Sequence, residues 1–197
     1  MVARRLSSRI ALIALFGLFF LPIVIAWILN VYPGQWRPQA TINHGTLVAP
    51  VRDIDTHGLF GVDRSPISTD LLEGKWTLMF LGAGGCQTEC QSALNKMRQV
   101  RLALGKDMSR VQRVYALEGQ TTSEGRNTWT SDPGVEVAIA NEEWASPFSV
   151  DGQNPWAADR VYLLDPEGRL VMYYGPNATG EGILEDLERL LKYSKIG

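Results

Sequence analysis

The chain has 197 residues, of which 45% are hydrophobic and 20% are charged, so it is long enough for one domain with its own core and a short additional segment. Its formal net charge is −2, but Arg4, Arg5 and Arg9 are the only charged residues before Arg37. The rest of the chain is therefore more acidic than the net charge suggests, which argues against a nucleic-acid partner.

An uncharged apolar run, IALIALFGLFFLPIVIAWIL, occupies residues 10–29. Its length matches the roughly 20 residues that an α-helix needs to cross the hydrocarbon core of a bilayer. Because basic residues next to a span tend to stay in the cytoplasm, residues 1–9 are predicted to be cytoplasmic. The run is longer than the hydrophobic core of a cleaved signal peptide, and no small-residue cleavage site follows it. The sequence predicts an uncleaved single-pass anchor in the inner membrane, a linker over residues 30–45 and a periplasmic domain over residues 46–197.

The domain is predicted to contain both strands and helices. The apolar segment WTLMFLG (76–82) carries no charge, as expected of a strand buried on both faces. The segment TLVAPVRDI (46–54) suits an edge strand, because Pro50 cannot donate to a neighbouring strand. Other strands are predicted at 110–117, at 135–140 and on both sides of the turn DPEG (165–168), and helices at about 87–104 and 180–194.

The two cysteines, Cys86 and Cys90, follow the predicted strand 76–82 and begin the predicted helix. At a helix N-terminus, backbone N–H groups and the helix dipole stabilise a thiolate, which is the form that attacks disulfides and binds metals. The spacing of four residues puts the two sulfurs about one helical turn apart. The pair is therefore a redox pair, a metal site or a structural disulfide. A structural disulfide across so short a loop would add little stability, because loop-closure entropy grows with loop length.

The predicted order of elements is typical of a thioredoxin-like domain. Within it, GKWTLMFLGAGGCQTEC (74–90) and VYLLDPEGRLVMYY (161–174) resemble segments of the Sco/SenC family. Members of that family are membrane-anchored thioredoxin-like proteins that assist assembly of the copper centre of cytochrome c oxidase. The resemblance implies an α/β thioredoxin-like fold, with a central mixed sheet flanked by helices. It also implies a role in oxidase biogenesis, with an oxidase subunit or a copper chaperone as the partner.

The chain departs from the Sco/SenC pattern in two ways. Polar residues stand where that family usually has prolines within and just after the cysteine motif. The family's third copper ligand, a histidine before the hairpin, has no counterpart, and alignment by the hairpin puts its position at Ala157. The chain's two histidines, His44 and His57, each precede a glycine and are predicted to be loop residues without a metal role. The sequence leaves open whether either one folds back to replace the missing ligand.

Loss of that histidine weakens a copper site more than it weakens a redox pair. Two thiolates suit Cu(I), whereas Cu(II) normally requires further nitrogen or oxygen donors. Thiol–disulfide exchange requires only an attacking sulfur, a resolving partner and access. We therefore favour thiol–disulfide oxidoreductase activity at Cys86 and Cys90. A copper carrier that uses the same two sulfurs is the second hypothesis.

Two other groups of side chains carry predictions. The aromatic residues Trp144, Phe148 and Trp156 form either the cover of a core, which is the commoner arrangement, or a docking face for a partner. The docking face supports a third hypothesis, a non-catalytic assembly or binding module. The acidic residues of the last helix are predicted to lie on its solvent-exposed face; they are Glu185, Asp186 and Glu188.

Overall fold

The computed structural model describes residues 8–31, 42–83, 88–119 and 134–194. The chain divides into two units, the first ending at Ile42 and the second beginning at Asn43. The first unit contains helix α1 (Ser8–Val31), whose side chains are described for residues 12–28 and 31. Within the described part of the chain, no helix is both long enough and apolar enough to cross a membrane. The transmembrane anchor over residues 10–29 therefore stays a prediction.

The second unit is built on a mixed sheet. Its strands are β1 (Thr46–Asp53), β2 (Leu59–Gly61), β3 (Trp76–Gly82), β4 (Val111–Glu118), β5 (Val135–Ala140), β6 (Val161–Leu164) and β7 (Arg169–Tyr174). Among the described residues these seven strands lie in the order β1-β7-β6-β3-β4-β5-β2. The β3–β4 and β4–β5 pairs are parallel, and the other pairs are antiparallel. The predicted mixed sheet is thus observed.

The α-helices among the described residues of this unit are α2 (Thr88–Ala103), α3 (Glu142–Ala145) and α4 (Gly180–Tyr193). Helices α2 and α4 pack against each other and against one face of the sheet. Thr179 caps α4, because its side-chain oxygen accepts a hydrogen bond from the N–H of Gly182 at 3.1 Å. Both α2 and α4 lie within one or two residues of the helix bounds expected from the apolar spacing.

Strand β3 is buried along its whole length, as predicted, and its successive side chains alternate between two hydrophobic cores. The cluster under α2 and α4, here called the helix-side core, includes Trp76, Leu78, Phe80, Cys90, Met97, Tyr115, Ile183 and Leu187. The cluster on the opposite face, here called the aromatic core, includes Met79, Leu81, Trp144, Phe148, Trp156 and Tyr162. One strand therefore supports two separate layers of packing.

The predicted hairpin is formed by β6 and β7. The N–H of Gly168 donates to the carbonyl oxygen of Asp165 at 3.0 Å, and the positive φ of 77° at Gly168 explains the glycine there. The buried carboxylate of Asp165 also accepts hydrogen bonds from the N–H groups of Glu167 and Arg169, each at 3.0 Å. The turn is thus held by backbone and side-chain bonds together.

Strand β1 lies at one end of the sheet, as its proline predicts. It pairs with β7, and the register shifts between Leu47 and Arg52, the segment that contains Pro50. The sequence did not predict β2 and α3, because three or four residues are too few to establish a period. Pairing with β5 stabilises β2, and the side chain of Asn141 caps α3 by accepting a hydrogen bond from the N–H of Trp144.

The aromatic residues cover a core, as the favoured prediction had it, and the alternative prediction of a docking face is wrong. Trp144, Phe148 and Trp156 are all buried in the aromatic core. The ring centroids of Trp144 and Phe148 lie 5.0 Å apart, and the Trp144 indole N–H donates to the carbonyl oxygen of Asp55 at 2.8 Å. Because this hydrogen bond satisfies the polar edge of the indole, the side chain can be buried at little cost. Because these residues cover a core, they do not form the surface on which the assembly-module hypothesis was based.

The predicted exposure of Asp186 is also wrong, whereas Glu188 is exposed as expected. The Asp186 carboxylate is buried and accepts hydrogen bonds from the backbone N–H groups of His44 at 2.8 Å and Gly45 at 2.9 Å. The hydroxyl group of Tyr174 donates to the same carboxylate at 3.3 Å. Asp186 therefore fastens the start of the second unit to α4, and helical position alone did not reveal the amide groups that draw it inward.

Candidate functional site

The cysteine motif lies between the end of the central strand β3 and the start of α2. Cys90 occupies the first turn of α2, with 6% of its surface exposed, and Cys86 lies outside the described residues. The first turn of a helix has backbone N–H groups without intrahelical partners, and these groups favour negative charge nearby. The fold thus brings Cys90 to a position that suits thiolate chemistry.

The Cys90 sulfur belongs to a disulfide in this structure and lies 3.7 Å from the hydroxyl oxygen of Tyr115. A disulfide sulfur carries no proton, so the tyrosine O–H is the donor of this hydrogen bond. Tyr115 lies on β4, directly opposite Phe80 of β3, and the two ring centroids are 5.8 Å apart. Sequence analysis missed Tyr115, although a tyrosine on the strand beside the one that leads into the motif was an available signal.

A cleft of about 260 Å³ opens beside the first turn of α2. Its lining includes Thr88, Glu89 and Lys96 from α2, with Asp159 from the loop before β6 and Asn177 from the loop after β7. The Lys96 ammonium group donates to the carbonyl oxygens of Pro176, at 3.2 Å, and Ala178, which ties the loop after β7 to α2. The cleft gives a polar, partly acidic approach to the cysteine motif.

His44 lies against α4, where its ring contacts a carboxylate. The Nε2 atom of His44 is 2.9 Å from Glu185 Oε2, and both side chains are about half exposed. The β-carbon of His44 lies next to Gly182, where any added side chain would overlap it. His44 is absent from the lining of the cleft beside α2. The ring thus serves a surface contact between the start of the domain and α4.

His57 lies in the loop between β1 and β2, and its side chain is 89% exposed. Its Nδ1 atom is 3.7 Å from the carboxylate of Asp55, and the residue lines a different cavity together with Trp144 and Glu143. That cavity borders the aromatic core, on the face of the sheet opposite Cys90. Neither histidine therefore lies in the lining of the cleft beside the first turn of α2.

The position aligned with the family's histidine is an exposed alanine. Ala157 lies in the loop before β6, and its N–H donates to the carbonyl oxygen of Asn154 at 3.2 Å. Asp159 of the same loop lines the cleft beside α2, so the loop does approach the motif. Among the described residues, no group of three His, Cys, Asp or Glu side chains could hold a metal ion. Neither described histidine lines the cleft beside α2, and Ala157 supplies no imidazole there.

Arg160 anchors the loop before β6 through its buried side chain. Sequence analysis also missed this residue. Its guanidinium carbon lies 4.4 Å from the centre of the Tyr173 ring, and its Nη1 donates to the carbonyl oxygen of Val150 at 3.2 Å. Its Nη2 is 3.6 Å from the carboxylate of Asp151, and the side chain is almost fully buried. A buried guanidinium with three partners fixes the loop from Asp151 to Arg160, so the edge of the cleft is pre-organised.

The sheet order, the covering helices and a cysteine at the start of α2 define an α/β protein of the thioredoxin-like class. Residues 76–194 match the family model described as "Transmembrane-like, thioredoxin-like, C-terminal domain". The chain belongs to this family, and its predicted resemblance to the Sco/SenC family is confirmed by the relatives that follow.

The mouse mitochondrial protein SCO2 homolog is 26% identical to this chain over 136 residues, which cover 59% of this chain and 53% of that protein. The chain thus spans about half the length of the curated relative that it matches. Bradyrhizobium japonicum ScoI with copper bound has a TM-score of 0.50 and 26% identity, and the match covers 66% of this chain and 94% of ScoI. Yeast Sco1 with copper bound has a TM-score of 0.57 and 16% identity, with coverages of 69% and 90%. The predicted thioredoxin-like fold is thereby confirmed.

Proposed function

We propose that this chain is a membrane-anchored thioredoxin-like protein that assists cytochrome c oxidase biogenesis by thiol–disulfide exchange at Cys86 and Cys90. The observation that carries the proposal is the buried Cys90 sulfur in the first turn of α2, beside the Tyr115 hydroxyl group. The resemblance to the Sco/SenC family supplies the process, because its members assist assembly of the oxidase copper centre. The proposed partner is an oxidase subunit or a copper chaperone.

The burial of Cys90 assigns the two sulfurs different roles. Cys90 is only 6% exposed and so is shielded from a protein client, which makes Cys86 the proposed attacking thiolate and Cys90 the resolving thiol. Cys86 attacks one sulfur of a client disulfide, and that bond breaks with its electron pair leaving on the other client sulfur. The Cys90 thiolate then attacks Cys86 and releases the second client thiolate. The client disulfide gains two electrons and two protons, while the chain is oxidised to its own disulfide.

The cleft beside α2 supports access for a client segment. Its lining includes the acidic residues Glu89 and Asp159. Lys96 also lines it, and its ammonium group donates hydrogen bonds to two carbonyl oxygens. Arg160 holds the loop that carries Asp159, so the cleft edge needs little ordering when a client binds. A client cysteine in an extended segment would approach the motif along this edge.

The second candidate function is that of a copper carrier, in which copper is the cargo. Copper is bound in the Bradyrhizobium japonicum and yeast relatives, which favours this candidate. Against it stand the positions of His44, whose ring contacts Glu185, and His57, which borders the aromatic core. Two sulfurs without an imidazole suit Cu(I) but not Cu(II). We therefore assign exchange as the main activity.

The proposed location is the inner membrane, with the N-terminus in the cytoplasm and the thioredoxin-like domain in the periplasm. The uncharged run over residues 10–29 and the arginines before it support this topology. A membrane-impermeant maleimide should label reduced Cys86 in intact cells of a Cys90→Ser variant. Labelling only after the cells are permeabilised would contradict the proposed orientation.

A competition titration with a Cu(II) chelator separates exchange from copper carriage. The reduced wild-type chain is expected to bind Cu(II) weakly, and His44→Ala and His57→Ala are expected to bind it equally weakly. Ala157→His adds an imidazole on the loop that approaches the motif, so it should bind Cu(II) more tightly. Tight binding by the wild type that disappears in either histidine variant would instead establish a copper carrier with a relocated ligand.

A further inference from the structure

We propose that the hydroxyl group of Tyr115 is a catalytic hydrogen-bond donor that stabilises the Cys90 sulfur when the disulfide opens. The inference deepens the proposed exchange function and rests on it for its biological use. It is carried by the 3.7 Å distance between the tyrosine oxygen and the Cys90 sulfur, and by the burial of both residues in the helix-side core. Tyr115 would thus touch one of the two reacting sulfur atoms directly.

The position of the Tyr115 hydroxyl group is fixed by two residues of β3. The ring of Phe80 packs on the tyrosine ring, with an angle of 28° between the ring planes. Gly82 lies beside the end of the tyrosine side chain, and a β-carbon at this position would overlap the hydroxyl oxygen and lie 3.1 Å from the Cζ carbon. The glycine therefore leaves the space that lets the O–H group reach the sulfur, a close approach that only this residue type permits.

The hydroxyl group remains a donor under all physiological conditions. Burial raises the pKa of Tyr115 well above the ordinary value for tyrosine, so the group stays protonated at neutral pH. Cys90 lies in the helix-side core together with the apolar side chains of Phe80, Ala93 and Met97. A negative charge that develops on a sulfur in such a core is costly unless a hydrogen bond compensates it.

The step that the hydroxyl group assists is the opening of the protein disulfide by an external thiolate. The attacking thiolate forms a bond to Cys86, the bond between Cys86 and Cys90 breaks, and its electron pair remains on Cys90. A second thiol then releases Cys86, so the reductant is oxidised to a disulfide while the chain gains two electrons and two protons. The tyrosine keeps its proton throughout and donates a hydrogen bond that is stronger to the developing thiolate than to the disulfide sulfur.

Removal of this donor should slow the opening step. Tyr115→Phe keeps the ring and removes only the oxygen, and hydrogen bonds to charged groups are strong enough to predict a rate about 10-fold lower. Gly82→Ala should also slow the step, because the added methyl group occupies the place of the hydroxyl oxygen. Tyr174→Phe is the matched control, since this tyrosine is buried in the same core but donates to Asp186.

The measurement is the rate at which dithiothreitol opens the disulfide of each full-length variant in detergent micelles, followed by alkylation of the released thiols and mass spectrometry. Slow opening in Tyr115→Phe and Gly82→Ala, with wild-type rates in Tyr174→Phe, is the expected result. Equal rates in all four chains, or an equal loss in Tyr174→Phe, would overturn the inference. Because dithiothreitol takes the place of the external reductant and no client is present, a chain that opens as expected but fails to reduce any client disulfide would refute the proposed function alone.

Discussion

The two faces of the sheet are built from the same strands but pack different kinds of side chain. On the helix-side face, Leu78 and Phe80 pack with Cys90 and Tyr115, so the core contains a sulfur and a hydroxyl group in contact. On the opposite face, Met79 and Leu81 pack with large aromatic rings. The alternation of side chains along β3 is what keeps the two layers separate.

The difference shows that burial alone does not identify a functional residue. The Trp144 indole N–H bonds to a backbone carbonyl oxygen, and the Phe148 ring packs edge-on against Tyr162 with centroids 5.1 Å apart. These contacts give Trp144 and Phe148 a structural role in the aromatic core. The Tyr115 hydroxyl group instead contacts the Cys90 sulfur, whose charge would change in the proposed exchange. Variants on the two faces should therefore separate exchange from stability.

Substitution of the resolving cysteine is expected to have the largest effect. Cys90→Ser should abolish turnover, because no second sulfur remains to release the client from Cys86. The mixed disulfide between Cys86 and a client should accumulate and appear as a reducible, higher-mass species on non-reducing gels. Cys86→Ser, the matched control, should give no such species. Adducts of similar yield in both variants would mean that the roles of the two sulfurs are assigned wrongly.

A cavity in the aromatic core should affect stability without affecting the chemistry. Phe148 is fully buried, so Phe148→Ala should lower the free energy of unfolding by about 3–5 kcal/mol. Phe60→Ala is the control, because Phe60 is substantially exposed and its loss should cost much less. Chemical denaturation measures both values. If the folded Phe148→Ala chain opens its disulfide at a different rate from the wild type, the claim that the aromatic core affects only stability is contradicted.

Loss of the buried carboxylate on α4 should have an intermediate effect. Asp186→Asn replaces one acceptor oxygen by a donor next to the N–H groups of His44 and Gly45, so we expect a loss of about 1–3 kcal/mol in unfolding free energy. Glu188→Gln, at an exposed position of the same helix, should change stability by less than about 0.5 kcal/mol. Equal effects of the two substitutions in urea denaturation would contradict the clamp assigned to Asp186.

The smallest predicted effect is a dependence of stability on alkaline pH. Burial raises the pKa of Tyr162 from 10.0 to about 12. Its contribution to stability is complete below about pH 10 and is lost as the pH rises towards about 12, because the unfolded chain ionises first. Between neutral pH and about pH 11, the unfolding free energy of the wild type should fall by about 1 kcal/mol more than that of Tyr162→Phe. Parallel denaturation curves of the two chains from neutral pH to about pH 11 would refute this assignment.

Much of the fold follows from local sequence patterns. The uncharged run of β3 predicted a strand buried on both faces, and the turn DPEG predicted the hairpin of β6 and β7, because both signals lie within a few adjacent residues. The position of Cys90 at the start of α2 followed from the same local pattern. By contrast, β2 is three residues long and exists because β5 lies beside it, which no local pattern records.

The missed parts of the site depend on contacts between residues that are distant in sequence. Tyr115 contacts Cys90 because β4 pairs with β3 in a fixed register. The same pairing places Gly82 next to the end of the Tyr115 side chain. Asp186 is buried because the amide groups of His44 and Gly45 reach it across 141 or more residues. Composition and helical period describe exposure on average, and they carry no information about such specific partners.

The most direct test of the account is whether the reduced chain reduces a disulfide in a peptide that carries the paired copper-ligand cysteines of a cytochrome c oxidase subunit. The full-length chain in detergent micelles is incubated with the oxidised peptide, and peptide thiols and protein disulfide are both quantified by mass spectrometry. We expect each chain to reduce one peptide disulfide and to become oxidised at Cys86 and Cys90, whereas Cys86→Ser is inactive. A peptide that stays oxidised in the presence of a reduced wild-type chain that binds Cu(II) tightly would contradict this expectation.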